Sequence, residues 1–300
     1  MIFKKENQTI ILKGLGYSFY GFLLFLILIY IYFPYDLLKD RIVDRLNNTL
    51  NKGVYIQKIN PLLPLGVDFR DIRIISESRD SKIIIFSADK LKVRLQLTSL
   101  FSKTRQIKYF TSAYGGEIYG RIGVQRDNSR NKIWINTDFN DLILERHHAI
   151  PEGLFNASVS GRAEGDIEIT NYSPGRKGAM KGKIDINIGS GSIDNLKIMA
   201  IPIPTIHYDR ITGGVKFVRD NLRIKGLKLE GNDINIEVRG NILFRRDFSK
   251  SPIDVNIRFK LSPSFESEMG ILKNLIKKGG IGGFSSIKIA GTLENPKIEF

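Results

Sequence analysis

Residues that could do chemistry are few in this chain, and they are scattered. Of the 300 residues, three are histidine and none is cysteine. His147 and His148 are adjacent and follow Arg146, with no carboxylate or thiol at the spacing a metal site needs, so a surface loop accounts for them. His207 stands alone beside Tyr208, in a segment that contains Pro202 and Pro204. No G-x-S-x-G elbow, H-E-x-x-H pair or phosphate loop occurs. The run Gly279-Gly280-Ile281-Gly282-Gly283 lacks a following lysine and reads as a linker. Asp166 with Glu168, and Asp233 with Glu237, fall at alternating positions of strand-like segments, where carboxylates mark a solvated face. Neither catalysis, a cofactor nor a metal is expected from these residues.

The elements around them are mostly strands. From Val54 onward the dominant period is two. Leu91, Val93, Leu95 and Leu97 alternate with polar residues, as do Ile184, Ile186 and Ile188. The clearest stretch carries Leu222, Ile224, Leu227 and Leu229, then Ile234, Ile236 and Val238, then Ile242 and Phe244, then Ile253, Val255, Ile257 and Phe259. Gly226, Gly231-Asn232-Asp233, Gly240 and Asp247 punctuate it. So many short alternating strands predict an antiparallel sheet with one apolar and one polar face. A glycine recurs before an alternating strand at Gly120, Gly165, Gly182 and Gly240, at irregular spacing, as in a long meander that extends one curled sheet. The candidate face, either a core or an open lipid-facing groove, is Leu222, Ile224, Ile234, Ile236, Val238, Ile242, Ile253, Val255 and Ile257.

Helical patterns are limited to three places. Residues 14–35 carry no formal charge and are largely bulky and apolar. As a helix they span about 33 Å, enough for a bilayer core. Tyr17, Tyr20, Tyr30, Tyr32 and Tyr35 lie toward the two ends, where such rings favour the membrane interface. The run is too long for a signal peptide, and Tyr30-Ile31-Tyr32-Phe33-Pro34 offers no cleavage site of small residues. Residues 36–50 follow as an amphipathic helix with Leu38, Ile42, Leu46 and Leu50 at i+4 spacing, Asp36 as cap and Gly53 as stop. A short C-terminal helix is expected over 265–278 and a last strand over 287–293. The domain plan is a cytoplasmic tail 1–13, a transmembrane helix 14–35, and a β-rich periplasmic domain 36–300.

Charge sets the orientation. Lys4, Lys5 and Lys13 against Glu6 give +2 before the span, leaving +13 of the chain's +15 after it. The positive tail stays cytoplasmic, and long domains translocate largely regardless of charge. In a bacterium with two membranes the anchor lies in the inner membrane and the domain in the periplasm. The basicity is diffuse: its densest cluster is Arg245-Arg246, followed by Asp247. No basic helix with stacking aromatics appears, so nucleic acid is not an expected partner. The diffuse charge meets anionic headgroups or is simply a solvated surface. An outer-membrane barrel is disfavoured despite the terminal Phe300, because barrels carry no separate transmembrane helix and Pro296 would remove a ladder donor.

Several short sequences carry a family resemblance. Pro34-Tyr35-Asp36-Leu37-Leu38 directly after the anchor, the helix ending near Gly53, and Pro61-Leu62-Leu63-Pro64-Leu65-Gly66-Val67 resemble bacterial type II secretion system protein N. The likeness continues through Asp89-Lys90-Leu91-Lys92-Val93-Arg94-Leu95, Leu97-Thr98-Ser99-Leu100 and Gly115-Gly116. Gly291-Thr292-Leu293-Glu294-Asn295-Pro296 is similar to a terminal motif of the wider AsmA-like family. That resemblance implies a mainly β, membrane-anchored periplasmic protein whose sheet curls into a lipid-lined groove. It implies a non-catalytic component of the type II protein secretion system, with the inner membrane and other secretion components as partners. The alternative is a lipid-binding or lipid-transfer protein of outer-membrane homeostasis, with phospholipid as its partner.

Overall fold

Strands of alternating character pair with their neighbours almost in order of sequence. The computed structural model describes residues 3–50, 52–78, 81–127, 130–146, 157–172, 181–198, 201–245, 250–269 and 283–299. Helix α1 is Phe3–Tyr32 and α2 is Tyr35–Leu50. Strands follow as β1 (Gly53–Leu62), β2 (Gly66–Ser78), β3 (Ser81–Leu95), β4 (Thr104–Ala113), β5 (Gly116–Asp127) and β6 (Arg130–Ile143). Next come β7 (Ser158–Val159), β8 (Arg162–Tyr172), β9 (Lys181–Ile188), β10 (Gly191–Asp194), β11 (Lys197–Ile198), β12 (Ile201–Pro202) and β13 (Ile206–Tyr208). The chain closes with β14 (Arg210–Val218), β15 (Asn221–Glu230), β16 (Ile234–Leu243), β17 (Pro252–Leu261), α3 (Pro263–Glu268), β18 (Ser285–Thr292) and β19 (Pro296–Glu299).

Fourteen strands form one antiparallel sheet, from β1 through β6, then β8, β9 and β14 through β19. Between β9 and β14 the chain leaves the sheet and builds a three-stranded sheet ordered β13-β10-β7 and a β11–β12 pair. The protein is mainly β, as the alternation predicts.

The expected curl is not found. Wrapping a sheet round needs bulges aligned strand after strand. Slips of partner register occur only at β2–β3, β6–β8, β14–β15 and β15–β16. Among the described residues the sheet is an open ladder with free edges at β1 and β19. The side-to-side alternation is broken within β1–β3. There the pairs Gln57-Lys58, Arg70-Asp71 and Asp89-Lys90 each place two consecutive residues on the polar side, with Asp71 at φ 48°.

The transmembrane span expected over 14–35 is not shown either. Among the described residues no helix is long and apolar enough to cross a membrane. The side chains of residues 3–12, Leu26, Ile29 and Ile31 lie outside the described ones. What is described is a helix of 30 residues that stops before Pro34, whose ring cannot continue the ladder. α2 begins at Tyr35, so Asp36 lies in its first turn and is not its cap. The C-terminal helix also differs: α3 covers Pro263–Glu268, capped by the Ser262 hydroxyl accepting from Phe265 N at 3.2 Å. Residues 270–282, which hold the rest of that expected helix, lie outside the described ones.

Two buried clusters hold the sheet. The first joins Val54, Ile56, Ile59, Phe69, Ile72, Ala88 and Ala113, with Tyr35, Ile42 and Val43 of α2 packed on it. The second joins Ala163, Ile188, Ile211, Leu229, Ile234 and Phe259 of the sheet with Ile203, Ile206, Tyr208 and Phe265. Burying such side chains contributes about 1.5–3 kcal/mol each relative to exposure.

Candidate functional site

Residues directly opposite one another in an antiparallel sheet share a face, so register alone assembles the candidate surface. Leu222 pairs with Ile242 and Ile242 with Ile253; Ile224 pairs with Gly240 and Gly240 with Val255. Val238 pairs with Ile257, Ile236 with Phe259, and Ile234 with Leu261. All nine residues expected on one face therefore share it. The bulge at Lys225-Gly226 corrects the parity, so that Leu227 and Leu229 stay on the same side as Leu222 and Ile224.

The face continues far beyond those nine. One row runs Thr137–Ile167–Ile184–Val215–Ile224–Gly240–Val255–Ile289–Ile298 by successive pairing. The next runs Leu95–Ile107–Ile122–Ile135–Ile169–Gly182–Phe217–Leu222–Ile242–Ile253. At about 4.8 Å between strands, the lane from β3 to β18 is about 48 Å long. Alternation alone could not join it, because strand order and the bulges decide which parity meets which.

Cover is uneven along this face. A neighbouring row, Leu142–Ala163–Ile188–Ile211–Leu229–Ile236–Phe259, lies in the second cluster beneath Ile203, Ile206 and Tyr208. Ile234 and Ile253 are buried, and Ile236 and Ile257 pack against that cluster. Leu222, Ile224, Val238, Ile242 and Val255 are half-buried and belong to neither cluster. The same is true of Ile107, Ile122, Ile135, Ile167, Ile169, Ile184, Val215, Phe217 and Ile289. The sheet's apolar side is thus a packed core along one strand end and beside α2, and a half-open lane between.

Glycines shape its floor. The expected recurrence placed them before strands, but Gly120, Gly165, Gly182 and Gly240 lie within strands. A Cβ at Gly165 would meet the Asp185 carbonyl and, at 2.7 Å, the Phe139 ring. A Cβ at Gly120 would meet the Tyr109 hydroxyl at 2.7 Å. Aromatic rings of the adjacent strands occupy the space these residues leave. Tyr109 and Thr137 hydrogen-bond inside this surface, and burial pushes the Tyr109 hydroxyl up from its ordinary pKa.

The opposite face is polar and basic. Glu237 is ringed by Lys228 (4.0 Å), Arg239 (3.7 Å) and Arg258 (3.9 Å). A shallow depression of about 650 Å³ lies on β1–β3, lined by Gln57, Lys58, Asn60, Arg70, Asp71 and Asp89. Its charges are mixed: Asp68 pairs with Arg70 at 3.1 Å, and Lys90 is pushed down by the adjacent Lys92, then by burial and Arg70.

His207 is not isolated. Its Nδ1 lies 3.3 Å from Asp233 Oδ2, which also accepts from its backbone N–H at 3.1 Å. This contact fastens β13 to the β15–β16 turn. His147 and His148 lie outside the described residues. Among the described residues no three histidine, cysteine or carboxylate side chains gather as a metal site. Comparison with family models, curated proteins and solved structures finds no match to this chain.

Proposed function

We propose that this chain is a non-catalytic, membrane-tethered protein that holds lipid acyl chains along its half-open apolar lane. The lane itself is the observation that carries the reading: a soluble surface seldom leaves a continuous apolar patch of that length unpartnered. Each CH₂ buried against it contributes about 0.8 kcal/mol, so an acyl chain can be retained without any polar contact. The uncharged run 14–35, in which α1 ends, supports a tether whose tail stays cytoplasmic and whose sheet projects into the periplasm. The rival reading, a component of the type II secretion system, rests on short turn sequences; no described residue accounts for protein export.

A photoreactive side chain at Ile224 or Val255 of the full-length protein, irradiated in the membrane, tests this. The expected product is the protein with the added mass of a phospholipid, absent when the photoreactive group replaces Asn256 on the polar face. Adducts to a protein partner at Ile224 and Val255 would transfer the lane to the secretion reading. Equal labelling on both faces would remove the lane as a binding surface.

A further inference from the structure

We infer that one end of the sheet is a membrane-docking rim, made by Leu63 and Leu65 of the β1–β2 hairpin and by Leu97, Leu100 and Phe101 of the following 3-10 helix. All five are exposed, Phe101 to 95% and Leu63 to 63%. They come from two loops that meet: Leu95 N donates to Leu65 O at 2.9 Å, and Arg94 pairs with Gly66.

The display is built, not slack. Ser99 at the centre of the Leu97–Phe101 turn is buried. Its hydroxyl donates to Gln96 O at 2.5 Å and accepts from Gln106 N at 3.0 Å. With Ser99 pinned inward, Leu97, Leu100 and Phe101 are held toward solvent. Water gives no return for exposing them, whereas the hydrocarbon edge of a bilayer does.

Chain geometry brings α1 to the same end. Only residues 51 and 52 separate α2 from β1, and Asn47 Oδ1 accepts from Val54 N at 2.7 Å, so α2 doubles back along β1. α2 is about 24 Å long and β1 about 33 Å. Tyr35, Ile42 and Val43 all pack on the cluster that includes Val54, Ile56 and Ile59 of β1, so α2 follows β1 along its length and its start lies toward Leu62. The chain therefore leaves Tyr32 of α1 beside the hairpin that carries Leu63 and Leu65.

Charge selects the occupant. Residues 94–106 include Arg94, Lys103 and Arg105 and no carboxylate, and all three cations are exposed. Apolar tips backed by cations fit an anionic phospholipid surface. The half-open lane starts here too, since Leu95 and Ile107 flank the 3-10 helix and open its outer row. This deepens the lipid reading by giving the lane a mouth at the bilayer.

The chain contains no cysteine, so a single introduced thiol can be labelled with an environment-sensitive fluorophore. Full-length protein carrying Phe101→Cys, Leu63→Cys, Asn256→Cys or Phe25→Cys is reconstituted in vesicles of phosphatidylethanolamine and phosphatidylglycerol. The expected result is a blue shift, with quenching by nitroxide-bearing lipid, at Phe101 and Leu63 but not at Asn256. Probes at Phe101 and Leu63 that stay as wet as the one at Asn256, or that are equally shielded without vesicles, overturn the rim. The Phe25 probe reports the tether separately: quenching there alone keeps the tether and discards the rim, and quenching at the rim alone does the reverse.

Discussion

Tyr208 shows how one side chain ties the small sheet to the large one. It is buried in the second cluster, and its hydroxyl donates to the Ser160 carbonyl in the short link from β7 to β8. Burial, with the Glu145 carboxylate adding to it, pushes its pKa up to about 12. A raised tyrosine pKa means that the folded state favours the neutral form. That contribution is complete below the unfolded value of about 10 and is lost as pH rises toward about 12. Denaturant titrations should therefore show stability falling across that window. Tyr208→Phe should flatten the fall, while costing about 0.5–1.5 kcal/mol at neutral pH through the lost hydrogen bond. An unchanged alkaline slope in Tyr208→Phe would show that Tyr109 and Tyr114, whose hydroxyls are also raised by burial, carry the effect. None of this was legible in the sequence. Tyr208 follows Pro202 and Pro204 in a segment with no assigned element, and its burial depends on a row of β9, β14 and β15 that only the fold brings beneath it. Ile224 and Val255 were legible, because alternation is a local property that fixes which side each shares with its own strand neighbours.

At the scale of elements, the helices and the long alternating strands could be read directly, and boundaries and the short strands β7 and β10–β13 could not. The i+4 spacing of Leu38, Ile42 and Leu46 located α2, yet Ile42 and Val43, not Leu46 or Leu50, face the cluster. α2 is held by its end as well: Asn47 Oδ1 satisfies the first donor of β1 that faces it. Asn47→Ala should lower the stability of the full chain by about 1 kcal/mol in a thermal or denaturant melt, because Val54 N loses its acceptor. Asn47→Asp retains an acceptor and should cost less. Equal losses would mean that the Asn47 contact contributes nothing beyond packing. Bulges were the main omission. Gln57-Lys58 looks like any polar pair in sequence, and its doubling on one side of the sheet follows from Arg70-Asp71 and Asp89-Lys90 in the adjoining strands. Two expected pieces, residues 222–224 and 227–229, are one strand, β15, whose bulge preserves its apolar side.

For the whole molecule, the sheet has one apolar side with two energetic regimes. Ile234 is buried at 7% exposure, whereas Val255 is half-buried in the lane. Ile234→Ala should cost about 2–5 kcal/mol, as a large-to-small change in a packed core does. Val255→Ala should cost about 1 kcal/mol or less, since part of its surface already meets water. Melts of the two variants without added lipid test this division; equal losses would mean that the lane is as well covered as the core. With lipid present, the cost of Val255→Ala should grow, because ligand binding to the folded state adds to its stability. Alternation identified the apolar side, but which part of it would be covered depended on the excursion between β9 and β14, which has no period to read.

The strand order has a consequence for how the molecule comes into being. Within the fourteen-stranded sheet, apart from the steps β6 to β8 and β9 to β14, every strand pairs with the next one in sequence. A chain emerging from its N-terminus finds, at each hairpin, a finished edge to zip onto, and the newest strand becomes the next template. Loop closure stays short at each of those hairpins, which weakens the usual reason that β proteins fold slowly. Assembly is then vectorial, like laying planks. The exception is the small sheet, where β7 must wait for β10 to arrive after β8 and β9 have been laid between them. The row beneath that patch leaves water only once β7, β10 and β13 have come together over it.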